Sequence, residues 1–161
     1  GIWLHSGNGN KNITISGNTI ANNALVGIYN DGPDGINITQ NSIYGNTTGI
    51  DNLNAGNDDL ERLDNDTPVI VSSVSTGGSN FDVTFRTPPI AVCNPCDVEF
   101  FTNNAGDVDL NGRTYRTTFT GLAGGTTFTQ SINSGGNTTG FWTATQKSST
   151  LNNSVSEFSN S

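Results

Sequence analysis

Methionine is absent from the 161 residues, histidine occurs once and cysteine twice. Lysine and arginine total 6 against 14 aspartates and glutamates, a net charge of −8. Six bases scattered singly make no stripe for phosphates, which argues against a nucleic-acid partner. No apolar run approaches the roughly 18–20 residues of a membrane-spanning helix, so membrane insertion is not expected. Alanine, leucine, glutamate and lysine are scarce, which argues against an all-α fold. His5 stands in no Ser-His-Asp grouping, so nucleophilic catalysis has nothing to lean on. Gly1 opens directly into a strand-like segment without a leader pattern, so residue 1 is expected to be a processed terminus or a cut. What is abundant is 20 Gly, 24 Asn and 37 Ser plus Thr. Such a mixture can be disordered. Eight Phe, two Trp and regularly spaced β-branched residues can nevertheless build a core, so the expected class is all-β.

The composition breaks near residue 67. Isoleucine stands at 2, 13, 15, 20, 28, 36, 38, 43 and 50 and then only at 70, 90 and 132, whereas the first phenylalanine is Phe81. Two kinds of core are implied, one stacked from Ile and one filled by Phe, Val and Thr. The first part repeats: Ile15 and Ile20 align with Ile38 and Ile43 at an offset of 23, and a Gly-Ile pair recurs as Gly1-Ile2, Gly27-Ile28 and Gly49-Ile50. Apolar pulses of two or three residues are too short for helices. A period of 20-odd residues with short strands reads as one coil of a solenoid, with Ile stacking inside and Asn able to form amide ladders along the axis.

These motifs resemble the parallel β-helix repeats of bacterial surface and secreted proteins. Asn41-Ser-Ile-Tyr-Gly-Asn46 through Gly49-Ile50-Asp51 is similar to the last coil of that family. In many members an Asp-rich linker and an immunoglobulin-like sandwich follow, and Val98-Glu-Phe-Phe101, Phe141-Trp-Thr-Ala-Thr145 and Ser156-Glu-Phe-Ser159 match sandwich strands. The resemblance implies an extracellular setting and an all-β chain. A short right-handed parallel β-helix would occupy residues 1–55, an acidic cap or linker 56–67, and the sandwich 68–161. Independently of the family, strand-like runs begin near 68, 80, 97, 114, 125, 139 and 154, about the seven a sandwich needs. Phe81, Val83 and Phe85 alternate with polar residues as a half-buried strand.

Candidate sites each have a structural counterpart. Asp58, Asp59, Glu61, Asp64 and Asp66 could gather around Ca²⁺, the one cofactor considered, which takes 6–8 oxygens. The same stretch reads more readily as a helix cap with a capping-box-like Glu61, with Leu60 and Leu63 covering the solenoid core. Cys93 and Cys96 are expected to close a small disulfide loop in an oxidising compartment. Trp3 is the candidate for stacking on glycan, with an exposed Tyr29/Tyr44 face as the alternative, although packing is the commoner fate of Trp3 and Trp142. Asp31, Asp34 and Asp51 lie near coil turns, where aspartate more often bonds its own backbone than acts as an acid or base. Glycosylation sequons occur at Asn12, Asn37, Asn46, Asn65, Asn137 and Asn152. Composition alone gives about five or six, so the count decides nothing. Asn12 and Asn37 fall in predicted strands, leaving Asn46, Asn65 and Asn137 as the better acceptors.

A coil buries its apolar face only against neighbours, and an open β edge invites pairing. The expected partners are therefore upstream coils or other copies of the chain, with glycans as a further class. The expected function is a non-enzymatic structural or adhesive module of an extracellular surface protein or fibre. The alternatives are the stabilising C-terminal part of a β-helix polysaccharide-active enzyme, or a glycan-binding module.

Overall fold

Short β pulses separated by Asn and Gly form the first part of the chain: β1 (Ile2–His5), β2 (Thr14–Ser16), β3 (Thr19–Ala21), β4 (Val26–Asp31), β5 (Asn37–Thr39), β6 (Ser42–Tyr44) and β7 (Thr48–Asn52). The structure is a computed structural model that describes residues 1–5, 12–31, 36–52, 67–107, 111–148, 155, 156, 158 and 159. Every pairing in this part is parallel, in the orders β1-β4-β7, β2-β5 and β3-β6. The register joins Ile15 to Ile38, Ile20 to Ile43, Ile2 to Ile28 and Ile28 to Ile50. These are the pairs that the 23-residue repeat and the Gly-Ile recurrences align in sequence. The turns repeat too: Gly17 and Gln40, then Asn22 and Gly45, hold left-handed backbone at equivalent positions.

Side-chain alternation sends the isoleucines inward, where seven are buried in one column. Each contributes roughly 1.5–3 kcal/mol through burial. Asparagine amides hold the stack together along its axis. Asn41 Oδ1 accepts from Asn18 N at 2.9 Å, and its Nδ2 donates to Ile15 O at 2.8 Å. Asn46 repeats this with Asn23 N at 3.0 Å and Ile20 O at 3.0 Å. The glycine of the Gly-Ile pair is a steric requirement, since a Cβ on Gly27 would lie 2.6 Å from Gly49 O and 3.0 Å from Ile43 Cγ2.

The second part forms β8 (Val69–Gly77), β9 (Asn80–Arg86), β10 (Cys96–Thr102), β11 (Thr114–Leu122), β12 (Thr127–Asn133) and β13 (Trp142–Ser148). Two antiparallel three-stranded sheets, β12-β9-β8 and β11-β10-β13, enclose a core of Phe81, Val83, Phe85, Val98, Phe100, Ile132, Trp142 and Ala144. Phe85 meets Phe100 edge-on at 4.8 Å between ring centroids. Of the strand expected near 154, residues 155, 156, 158 and 159 are described. Val155 bridges Lys147, and the Ser156 and Ser159 amides donate to Gln146 O and Ala144 O, each at 2.8 Å. Among the described residues the protein is all-β and contains no helix.

The two parts pack directly on each other. β10 and β13 are buried on both faces, unlike the half-exposed β8 and β12. On β10, Val98 and Phe100 enter the second core, while Phe101 joins the isoleucine column with Val155 and Phe158. Ile43 and Gly112 exchange two backbone hydrogen bonds of 2.8 Å. Gly112 has no room for a side chain, because a Cβ would meet Phe158 and lie 2.8 Å from Phe101 Cγ. Thus Phe101, Val155 and Phe158 cover the isoleucine column, the role expected of Leu60 and Leu63, which lie outside the described residues.

Candidate functional site

The alternation that turns Ile2, Leu4, Ile28 and Ile50 inward, the first two only partly buried, sends Trp3, His5, Tyr29, Asp31 and Asp51 to the outer face of β1, β4 and β7. Register places Trp3 beside Tyr29, Tyr29 beside Asp51, and His5 beside Asp31. Trp3 is 68% exposed, in contrast to Trp142 at 1%. The Trp3 and Tyr29 rings lie 6.2 Å apart at 62°, and Trp3 and His5 lie 5.7 Å apart at 60°. His5 Nδ1 is 3.2 Å from Asp31 Oδ2. Desolvation, and then the carboxylates of Asp31 and Asp51, hold the Tyr29 phenol above its ordinary pKa. The face therefore combines two inclined aromatic rings with two acceptor groups in a negative local field.

β1 pairs with β4 on one side, and among the described residues its other side carries no strand. Beside that edge lies a recess of about 400 Å³ lined by Gly1, Ile2, Trp3, Leu25, Val26 and Tyr29. Leu25 is 73% exposed. The asparagine ladder also stops at β1. Asn30 Nδ2 donates to Asn52 Oδ1 at 3.3 Å, but Leu4 stands in register with Asn30, whose buried Oδ1 has no partner among the described residues.

The other predicted site residues fall elsewhere. Asp58, Asp59, Glu61, Asp64, Asp66 and Asn65 lie outside the described residues, as does Asp34. Among the described residues no three His, Cys, Asp or Glu side chains come together as metal ligands. Cys93 and Cys96 form a disulfide buried in the second core. Asn46 is corrected as a glycan acceptor: it is 1% exposed, and its Nδ2 is committed to Ile20 O. Asn137 is half-buried; its Nδ2 donates to Asn103 O at 2.8 Å and its Oδ1 accepts from Thr139 N at 2.9 Å. Asn12 precedes β2 rather than lying in a strand. Tyr44 does not extend the Trp3–Tyr29 face; it sits on β6, with the Arg113 guanidinium 3.9 Å over its ring. Asp107 grips that guanidinium in turn, at 2.7 and 2.5 Å.

Sequence reasoning missed Glu99. Its carboxylate accepts hydrogen bonds from Thr39 Oγ1 and, at 2.9 Å, from Gln40 N, so it ties β10 to the turn after β5. Burial pushes its pKa up, against the opposing effect of those hydrogen bonds. The only signal was a charge between Val98 and Phe100 in an otherwise apolar run. Glu99 also borders a cleft of about 290 Å³ between the two parts, with Asp97, Thr118 and Lys147. No protein-family model matches the chain, and no curated protein matches it significantly.

Proposed function

We propose that the chain is a structural and adhesive module of an extracellular surface protein or fibre. In this reading residues 1–52 form a short right-handed parallel β-helix, and the second part is an immunoglobulin-like sandwich that closes one end. The hand follows from the chirality of parallel crossovers. A disulfide between Cys93 and Cys96 suits an oxidising compartment.

One observation carries the reading: the outer side of β1 has no strand among the described residues, and the recess beside it is lined by Ile2, Trp3, Leu25 and Val26. An unpaired edge next to exposed apolar side chains is a template for another strand. A further coil, from a second copy or from the same polypeptide, would pair there in parallel. Light scattering of the 161-residue chain across a concentration range tests this. The expected result is a mass that rises with concentration, and its loss in Leu25→Lys, which puts a charge in the recess. A parent chain that stays monomeric at every concentration would remove self-association.

A further inference from the structure

We infer that the outward face of β1, β4 and β7 binds a neutral polysaccharide, with Trp3 and Tyr29 as the stacking floor and Asp31 and Asp51 as acceptors for sugar hydroxyls. The inference deepens the adhesive reading and rests on it for its biological setting; the chemistry of the face stands by itself.

Trp3 is the starting point. A tryptophan that packs for stability is buried, as Trp142 is; Trp3 instead leaves 68% of its surface in water. Tyr29 stands beside it at 62°, so the two rings offer inclined apolar surfaces with polar edges. The C–H face of a pyranose ring matches such a surface, because an aromatic side chain presents an apolar body with a polar tip. Asp51 lies in register beside Tyr29. Asp31 lies one residue pair further along β4, with His5 3.2 Å from one of its oxygens and the other oxygen left to accept. Ionised carboxylates are the stronger class of acceptor for hydroxyl donors. The same two charges, in a chain of net charge −8, repel anionic polymers, which disfavours uronic-acid chains and nucleic acid as occupants. The face points sideways from the sheet, perpendicular to the direction in which strands are added. A coil or copy paired to the edge of β1 would leave Asp31 and Asp51 open and would border Trp3 and Tyr29, which also line the recess beside that edge.

The test is isothermal titration of the 161-residue chain with neutral hexasaccharides (β-1,4-glucan, β-1,3-glucan, β-1,4-mannan and β-1,4-xylan). A hexagalacturonate and a fully deacetylated glucosamine hexamer serve as charged controls. A few stacked rings give weak binding, so a Kd of roughly millimolar or somewhat tighter is expected for at least one neutral chain. Trp3→Ala is expected to weaken it at least about tenfold, Trp3→Phe to retain part of it, and Asp51→Asn to weaken it several-fold with melting temperature unchanged. No binding by any neutral hexasaccharide, or Trp3→Ala binding as well as the parent, would overturn the inference. Binding of the glucosamine hexamer alone would also overturn it, because the carboxylates would then be counter-ions for an amine. The oligomer mass of the same samples separates this from the assembly reading. Asp51 is two strands from the edge, so Asp51→Asn should lose sugar without changing mass. A strictly monomeric parent that still binds sugar would keep this inference while self-association fails.

Discussion

The two parts of the chain bury their apolar residues in different ways. Between residues 1 and 52 each core isoleucine meets the isoleucine one repeat away, and asparagine amides satisfy the backbone between repeats. Between residues 69 and 148 the core is closed by two sheets facing each other, and its phenylalanines touch edge to face. A stacked core is complete only where it has a neighbour. On the β10 side that neighbour is Phe101, Val155 and Phe158; on the β1 side the described residues offer none. The difference explains why Leu25 is left exposed beside β1, whereas Trp142 is enclosed between two sheets.

Phe100 and Phe101 give the sharpest break of this comparison, because neighbouring residues serve different cores. Either Phe→Ala change is expected to cost about 3–5 kcal/mol. Denaturation followed separately through Trp3 and Trp142, in single-tryptophan variants, should distinguish them. Phe101→Ala should shift the Trp3 transition more than the Trp142 transition, and Phe100→Ala should shift the Trp142 transition at least as much. Equal shifts in Phe101→Ala would mean that the stack does not depend on that ring.

Asparagine should matter unequally in the two parts. Asn46→Ala removes the acceptor for Asn23 and the donor to Ile20 O in a buried place, so a loss of about 2–4 kcal/mol is expected in urea unfolding. Asn133→Ala breaks an exposed side-chain bond to Asn80 and should change stability by less than about 0.5 kcal/mol.

The smallest effect concerns pH. Glu99, at the junction, has its pKa raised by burial, so its contribution is full below the ordinary glutamate pKa and is lost as pH rises through the folded value. Asp107 has its pKa lowered by hydrogen bonding to Arg113, so its contribution is present above the ordinary aspartate pKa and is lost as pH falls through the folded value. Between about pH 3 and 8 the Tm advantage of the parent over Glu99→Gln should shrink with rising pH, and that over Asp107→Asn should grow. Slopes of the same sign would refute one of the two environments.

The stack was legible because its register is written as a repeat: Ile15 with Ile38 and Ile20 with Ile43 needed only an offset. The half-buried β9 was legible from Phe81, Val83 and Phe85. The contact between the two parts was not. A period of two assigns alternate faces but does not say that both are buried, so it gives no sign that Thr143, Thr145 and Glu99 are enclosed. Phe100 and Phe101 likewise read as one apolar run, although they serve separate cores. Of the outer face, Trp3, Tyr29 and Asp51 were each named, but they come from different repeats and their adjacency appears only once the ladder forms. Asn46 was misread for a similar reason: a sequon in an Asn-rich turn looks exposed until the amide ladder claims it.

Amide hydrogen exchange of the 161-residue chain, measured strand by strand at low and high concentration, tests the contrast between the two ends most directly. β7 should be protected at both concentrations. β1 should exchange quickly when dilute and become protected as copies associate. A β1 as slow to exchange as β7 in dilute solution, with no change on concentration, would contradict an end open to another coil.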